Sequence, residues 1–214
     1  MTEAVIDTVI FDVGGVLSAT GRHSDFTRRF PPELAEQVAR IFVGDYGTDG
    51  DHPWHRLERG EITLAENRRL NREALAAAGI EVPTPPPGNA PIIAFAASEP
   101  MVALVSDLRT AGLRLGVLTN NVAEFRDQWR AIMPFDEWFD DVVDSHEVGL
   151  RKPDPAIYQL ALDRLGAVAG RTAFLDDVLT NVLAADSVGM RGVLVDLDPA
   201  DAIATVRRWA GLTD

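Results

Sequence analysis

The chain of 214 residues has no cysteine. Disulfide frameworks and thiolate chemistry are therefore excluded, which fits a reducing compartment without requiring one. Long apolar runs are missing too. The first apolar stretch is broken by Asp7 and Asp12, and no segment reaches the ~18 uncharged apolar residues of a spanning helix. No charged leader with an apolar stretch behind it opens the sequence. A soluble, cytoplasmic protein without a membrane partner is expected. Lysine is almost absent: Lys152 is the only one, and the other basic residues are arginines. The net charge of −13 opposes a nucleic-acid surface.

What is present is a core. With 46% hydrophobic residues the chain can bury a substantial interior, as one domain or as a domain plus a small insert. The charge is unevenly spread. From Arg22 to Glu73 nine arginines face ten acids, so nearly all of the excess negative charge lies elsewhere. A segment so nearly neutral can cover a phosphate without strong repulsion, although an ordinary solvated surface has the same composition.

Short apolar runs at about 5–11, 114–118, 140–144, 172–176 and 192–196 read as strands. They alternate with helical stripes at about 100–110, 155–165, 181–188 and 199–210. This alternation predicts a parallel sheet with helices on both faces. Between about 18 and 97 the strand signal disappears. Residues 31–43 and 64–78 look helical there, with Thr63 and Glu66 forming a capping box and Gly79 a stop. The segment Pro83-Thr84-Pro85-Pro86-Pro87-Gly88 reads as a stiff extended connector. There are no internal repeats or heptads. The expected architecture is α/β: a Rossmann-type parallel sheet built from 1–17 and 98–214, with a small helical cap at 18–97 inserted after the first strand.

Four stretches carry chemistry. Val9-Ile10-Phe11 runs into Asp12 and then Val13-Gly14-Gly15. In open α/β sheets ligands gather at the C-terminal strand edge, where such a carboxylate would sit; a turn-capping Asp is the plain alternative. Leu115-Gly116-Val117-Leu118 ends in Thr119-Asn120-Asn121. Arg151-Lys152-Pro153-Asp154 precedes a helix and supplies a compact ammonium charge. Thr172-Ala173-Phe174-Leu175 ends in Asp176-Asp177. Adjacent acids raise each other's pKa unless a cation or donors neutralise them, and Mg²⁺ suits one or two carboxylates plus phosphate oxygens.

In this order and at these spacings the quartet resembles the haloacid dehalogenase superfamily. The words FDVGGVL, GVLTNN, GLRKPDPAIY and FLDDVLTNVLAADSVGM, together with LERGEIT at 57–63, are similar to the branch that holds the phosphatase domain of soluble epoxide hydrolases. The resemblance implies the fold expected above. It also implies Mg²⁺-dependent hydrolysis of a small phosphorylated metabolite through an aspartyl-phosphate on Asp12. Thr119 and Lys152 would then hold phosphoryl oxygens, and Asn120 and Asn121 would bond substrate or Asp12. Metal ligands would be Asp12, the Gly14 carbonyl and Asp177, with Asp176 acting through water or behind the ligands. Asn181 reads equally as a site residue and as a helix N-cap.

One position departs from the family pattern. Most phosphatases of this superfamily carry a second Asp two residues after the nucleophile, where it protonates the leaving oxygen; here Gly14 stands there. Three readings stay open. One is a phosphatase for substrates that leave without a proton, or with a replacement acid among His23, Asp25, His52 and His55. Another is a 2-haloacid dehalogenase, which needs no proton donor but has no use for the Asp176-Asp177 pair. The third is a non-catalytic phosphate- or partner-binding relative. The remaining signals are plainer. The His52-x-Trp54-His55 cluster reads as packing before metal binding. Trp129 and Trp138 read as core, and Asp136, Asp140, Asp141 and Asp144 as a solvated acidic face.

Overall fold

The computed structural model describes residues 5–20, 27, 30–82 and 95–212. Strand β1 is Thr8–Phe11, and after it come α1 Ala35–Val43, α2 Pro53–Glu58 and α3 Leu64–Ala77. The alternating part follows: α4 Glu99–Thr110, β2 Arg114–Thr119, α5 Arg126–Arg130, α6 Phe135–Trp138, β3 Asp141–Asp144 and α7 Ser145–Val148. The chain then completes α8 Pro155–Leu165, β4 Thr172–Asp176, α9 Leu179–Ser187, β5 Arg191–Leu194 and α10 Ala200–Trp209.

The five strands form one parallel sheet in the order β3-β2-β1-β4-β5. Both faces are covered, which is why the strands read as continuous apolar runs. Val9, Phe11, Val117 and Leu175 point into one core with Met101, Leu104 and Val206, while Ile10, Leu118 and Phe174 point into the other with Ile157, Tyr158 and Ala185. Gly116 is needed for that second layer. A Cβ there would lie 2.6 Å from Leu165 Cδ1, so only a bare backbone lets α8 approach this closely. The helices begin and stop where local chemistry directs. Asp154 accepts from Ala156 N at 2.8 Å with Pro155 in the first turn, and α8 ends on left-handed Gly166. Thr63 caps α3 by accepting from Glu66 N at 3.2 Å.

Chain connection sets the position of the site. From β1 the sheet grows toward β2 on one side and β4 on the other, so the topological switch falls at β1. The segment between β1 and α4 leaves and returns at the same place. Ser18 bridges Ala97, Ala19 N donates to Ala96 O at 2.8 Å, and Ser98 N donates to Leu17 O at 2.9 Å. Among its described residues this segment is helical, apart from those isolated bridges.

Several details differ from the sequence reading. The expected helix at 31–43 starts as a 3₁₀ turn, Pro32–Leu34, before α1. Helix α2 has no periodic signal because six residues are too few to show one. Asp144 is not on a solvated face. It is fully buried at the end of β3 and its carboxylate lies 2.7 Å from His146 Nδ1, because α7 folds back over the strand end. Trp54 and Trp129 are core residues as expected. The connector at 83–88 and the residues His23 and Asp25 lie outside the described residues.

His55 in α2 is 2% exposed, and neither ring nitrogen makes a well-formed hydrogen bond among the described residues. Burial, reinforced by the Arg151 and His52 charges, pulls its pKa down to about 4, against weaker opposing effects from Asp49 and the Val43 backbone. The unfolded chain therefore binds the proton first. Its contribution to stability is fully present above the ordinary histidine pKa of about 6.5 and is lost as pH falls toward 4. Replacement of His55 by Leu is expected to remove part of the stability loss between pH 7.5 and pH 5, about 2 kcal/mol by urea unfolding. An unchanged pH slope in that variant contradicts the assignment.

Candidate active site

Parallel strands bring their C-terminal ends to one edge. Asp12 follows β1, Thr119 ends β2 and Asp176 ends β4, and β1 lies between the other two. Lys152, just before α8, reaches into this edge and is 1% exposed. Its ammonium lies 2.9 Å from Asp12 Oδ1, donates to Asp176 Oδ2 at 2.6 Å and donates to the Leu118 carbonyl at 3.0 Å. All three of its protons are thus taken by protein oxygens. Burial pulls the Lys152 pKa down, but the two carboxylates more than reverse this and hold the ammonium charged. Burial pushes Asp12 up to about 6; Lys152 opposes the rise and Asp176 adds to it.

Asp176 is fully buried and heavily bonded. Besides Lys152 it accepts from Val178 N at 2.8 Å and from the Asn181 side-chain amide at 3.1 Å. Asn181 is therefore not the N-cap of α9, a position held by Val178; it sits inside the first turn with its amide turned onto Asp176. Asp177 is half-buried and faces the same space. Oxygens of Asp12, Asp176 and Asp177 lie within 4.8 Å of one another, the one cluster of possible metal ligands among the described residues. Three carboxylates against one ammonium leave two negative charges, which a hard divalent cation would neutralise. Its donor set fits Mg²⁺ in kind, all oxygen and no imidazole.

The loop after β2 is held rather than free. The Asn120 amide donates to the Lys152 carbonyl at 2.9 Å and accepts from Lys152 N at 2.8 Å. Asn121 N donates to Ser145 Oγ at 3.0 Å, and its side-chain oxygen accepts from Val122 N at 2.9 Å. Thr119 is buried at the strand end. Asn120 therefore fixes the backbone beside Lys152, a use that leaves little of its amide for a ligand.

A second cluster closes the cleft from the helical segment. Glu58 and Arg151, both buried, pair with Arg151 Nε 2.7 Å from Glu58 Oε2. Arg151 also donates to the Thr48 carbonyl at 2.7 Å and lies 5.0 Å over the Tyr46 ring. Tyr46 and Trp54 donate to Glu58 Oε1 at 3.0 and 2.8 Å. Burial raises the Glu58 pKa, and Arg151, Tyr46 and Trp54 act against that rise. Tyr46, Trp54 and Glu58 line the same cleft as Asp12, Gly14 and Asp177, a space of about 580 Å³ open to solvent.

The sequence reading assigned no role to Arg151 and Glu58. A weak signal exists: Trp54 and Glu58 are four apart, hence on one helix face, and Arg151 adjoins the sole lysine. His52 is bound locally, its Nδ1 accepting from Trp54 N at 3.1 Å, and among the described residues the histidine pair forms no metal cluster with an acid.

A family described as haloacid dehalogenase-like hydrolase matches residues 6–189. The chain is 30% identical over 197 residues to the sesquiterpene phosphatase astK of Aspergillus oryzae, covering 92% of this chain and 91% of that protein. It is 29% identical over 215 residues to the bifunctional epoxide hydrolase 2 of Mus musculus, covering 94% of this chain and 38% of the other. It spans well under half the length of the mouse proteins it matches. A HAD family enzyme of Bacteroides thetaiotaomicron, solved with magnesium and inorganic phosphate, shares the fold with a TM-score of 0.61 at 19% identity, over 90% of this chain and 96% of that one.

Removing the Glu58 charge leaves the buried Arg151 only the Thr48 carbonyl and the more distant Asp49, 3.7 Å away, as polar partners among the described residues. Glu58→Gln is expected to destabilise the protein by about 3 kcal/mol in urea unfolding. Combining it with Arg151→Met is expected to recover most of that loss. A double variant as unstable as the sum of the single changes would show that the two side chains do not interact.

Proposed function

The chain belongs to the haloacid dehalogenase-like hydrolases, and from that premise we propose that it is a Mg²⁺-dependent phosphatase acting on a small phosphorylated metabolite. The observation that carries the reading is the meeting of Asp12, Asp176 and Asp177 around one space, with the Lys152 ammonium bonded to the first two. Relatives whose names state a phosphatase, and a fold neighbour solved with magnesium and phosphate, support it.

In this reading Asp12 attacks phosphorus in line. The bond from Asp12 oxygen to phosphorus forms, the bond to the leaving oxygen breaks, and that oxygen departs with the electron pair. Water then attacks the aspartyl-phosphate, releasing phosphate and restoring the carboxylate. A carboxylate is a weak nucleophile, so it must be kept ionised and aligned; Lys152 does both by binding Asp12 directly. Asn120 fixes the Lys152 backbone, while Asn181 and Val178 N hold Asp176 against the ammonium. Asn121 borders the cleft a phosphoryl group would enter, and Thr119 ends β2 behind it. Mg²⁺, held by Asp12, Asp177 and the Gly14 carbonyl with Asp176 behind them, would offset charge on the phosphoryl oxygens. Residues 18–97 serve as a cap over the core of 1–17 and 98–214, with Tyr46, Trp54, Glu58 and Phe95 as its contribution to the cleft. No helix among the described residues is long and apolar enough to cross a membrane.

No side chain at position 14 can protonate the leaving oxygen, and of the replacement acids weighed above neither His52 nor His55 lines the cleft, so we take the substrates to be those that leave without a proton. The same gap favours one other reading, a protein that binds phosphate without turnover. Acetyl phosphate separates the two. Hydrolysis is expected with Mg²⁺, absent with chelator, and reduced about 10⁴-fold or more in Asp12→Asn. Binding of phosphate without turnover would favour the second reading, and halide release from a 2-haloacid without metal would favour a dehalogenase. Gly14 does not adopt a left-handed conformation, so a side chain is tolerated by its backbone. Gly14→Asp is expected to raise glycerol phosphate hydrolysis about 10²-fold or more, with little change on acetyl phosphate.

A further inference from the structure

Three aromatic rings from three separate segments meet beside the catalytic carboxylate. Trp54 comes from α2, Phe95 from the strand-like return out of the helical segment, and Phe125 from the turn after β2. The Phe95 and Phe125 ring centroids lie 6.5 Å apart and tilted by 60°. Val122 and Val178 continue the same wall.

Among the described residues Asp12, Glu58 and Asp177 face the cleft, and no lysine or arginine lines it. The two cations behind the cleft are held by these same acids, Lys152 by Asp12 together with Asp176, and Arg151 by Glu58 together with the Thr48 carbonyl. A second phosphate or a carboxylate on a substrate would have to compete with those acids for the cations. Few groups are left for a polyol: the Asn120 amide is committed to the Lys152 backbone, the Asn181 amide nitrogen to Asp176 and the Tyr46 hydroxyl to Glu58, and of these side chains it is the Asn181 oxygen that lacks a hydrogen bond among the described residues. An apolar, uncharged group loses nothing against such walls and gains by leaving water.

A second observation narrows the class. With Gly14 at the place of the proton donor, the leaving oxygen departs as an anion, and phenolic oxygens carry that charge far better than aliphatic ones. Resting on the phosphatase reading, we infer that the cleft bounded by Trp54, Phe95 and Phe125 is a leaving-group pocket for a flat uncharged ring, and that the substrates are aryl monophosphates. In the reaction the bond between phosphorus and the phenolic oxygen breaks, the phenolate takes the electron pair, and solvent protonates it.

The test compares KM for 1-naphthyl phosphate, acetyl phosphate and glycerol 3-phosphate on the full chain with Mg²⁺. Acetyl phosphate has the better leaving group but no ring, so it reports the phosphatase reading independently of the pocket. The expected result is a KM for 1-naphthyl phosphate about tenfold or more below both others, the order that burial of a ring supplies. Phe125→Ala is expected to shrink this gap severalfold, and Phe95→Ala serves where the first variant folds poorly. Turnover of all three with KM values within a factor of about three would overturn the pocket and leave the phosphatase reading standing. A glycerol 3-phosphate KM below that of the aryl ester would do the same. Failure to hydrolyse acetyl phosphate would overturn both.

Discussion

The Lys152 ammonium between Asp12 and Asp176 is the contact on which the rest of the site depends. It lies in the protein interior, where an unpaired charge is costly, and both carboxylates it touches are buried as well. Removing it would leave two acids facing each other, and the Asp12 pKa, already pushed up to about 6 by burial, would climb further. The sheet serves this contact. Parallel strands with β1 between β2 and β4 deliver Asp12 and Asp176 side by side, and the turn before α8 carries the lysine to them from above the Leu118 carbonyl.

Arg151 and Lys152 are chain neighbours whose side chains serve different partners. Lys152 binds the core carboxylates, while Arg151 crosses to Glu58 and the Thr48 carbonyl of the helical segment. One short stretch of backbone therefore joins the charged floor of the cleft to the segment that walls it. Tyr46 and Trp54 are fixed by the same Glu58 carboxylate, so the shape of the cleft and the placement of the lysine share one hydrogen-bonded network.

Much of this was legible in the sequence, for definite physical reasons. The central strands β1, β2 and β4 are buried on both faces and read as short apolar runs, and the half-buried edge strands β3 and β5 keep apolar centres, so their positions and the α/β class were visible. Asp12, Thr119 and Asp176-Asp177 end or follow those runs, which placed them at one edge, while Lys152 precedes a helix and joined them through the family resemblance. What stayed hidden depends on contacts between distant segments. Asp144 looks like any acid in an acidic stretch until α7 covers it and His146 pairs with it. Asn181 offers a cap-like residue near a helix start, and only the fold turns its amide onto Asp176. The pairing of Glu58 with Arg151 joins residues 93 positions apart and has no local pattern at all.

The central claim is that Lys152 presents Asp12 as the attacking group. Acid-quenching the protein during acetyl phosphate turnover with Mg²⁺, followed by peptide mass spectrometry, tests it most directly. A phosphoryl adduct on Asp12 that disappears in Lys152→Met is the predicted result. Turnover with the adduct on another residue, or an adduct on Asp12 undiminished without the lysine, would contradict it.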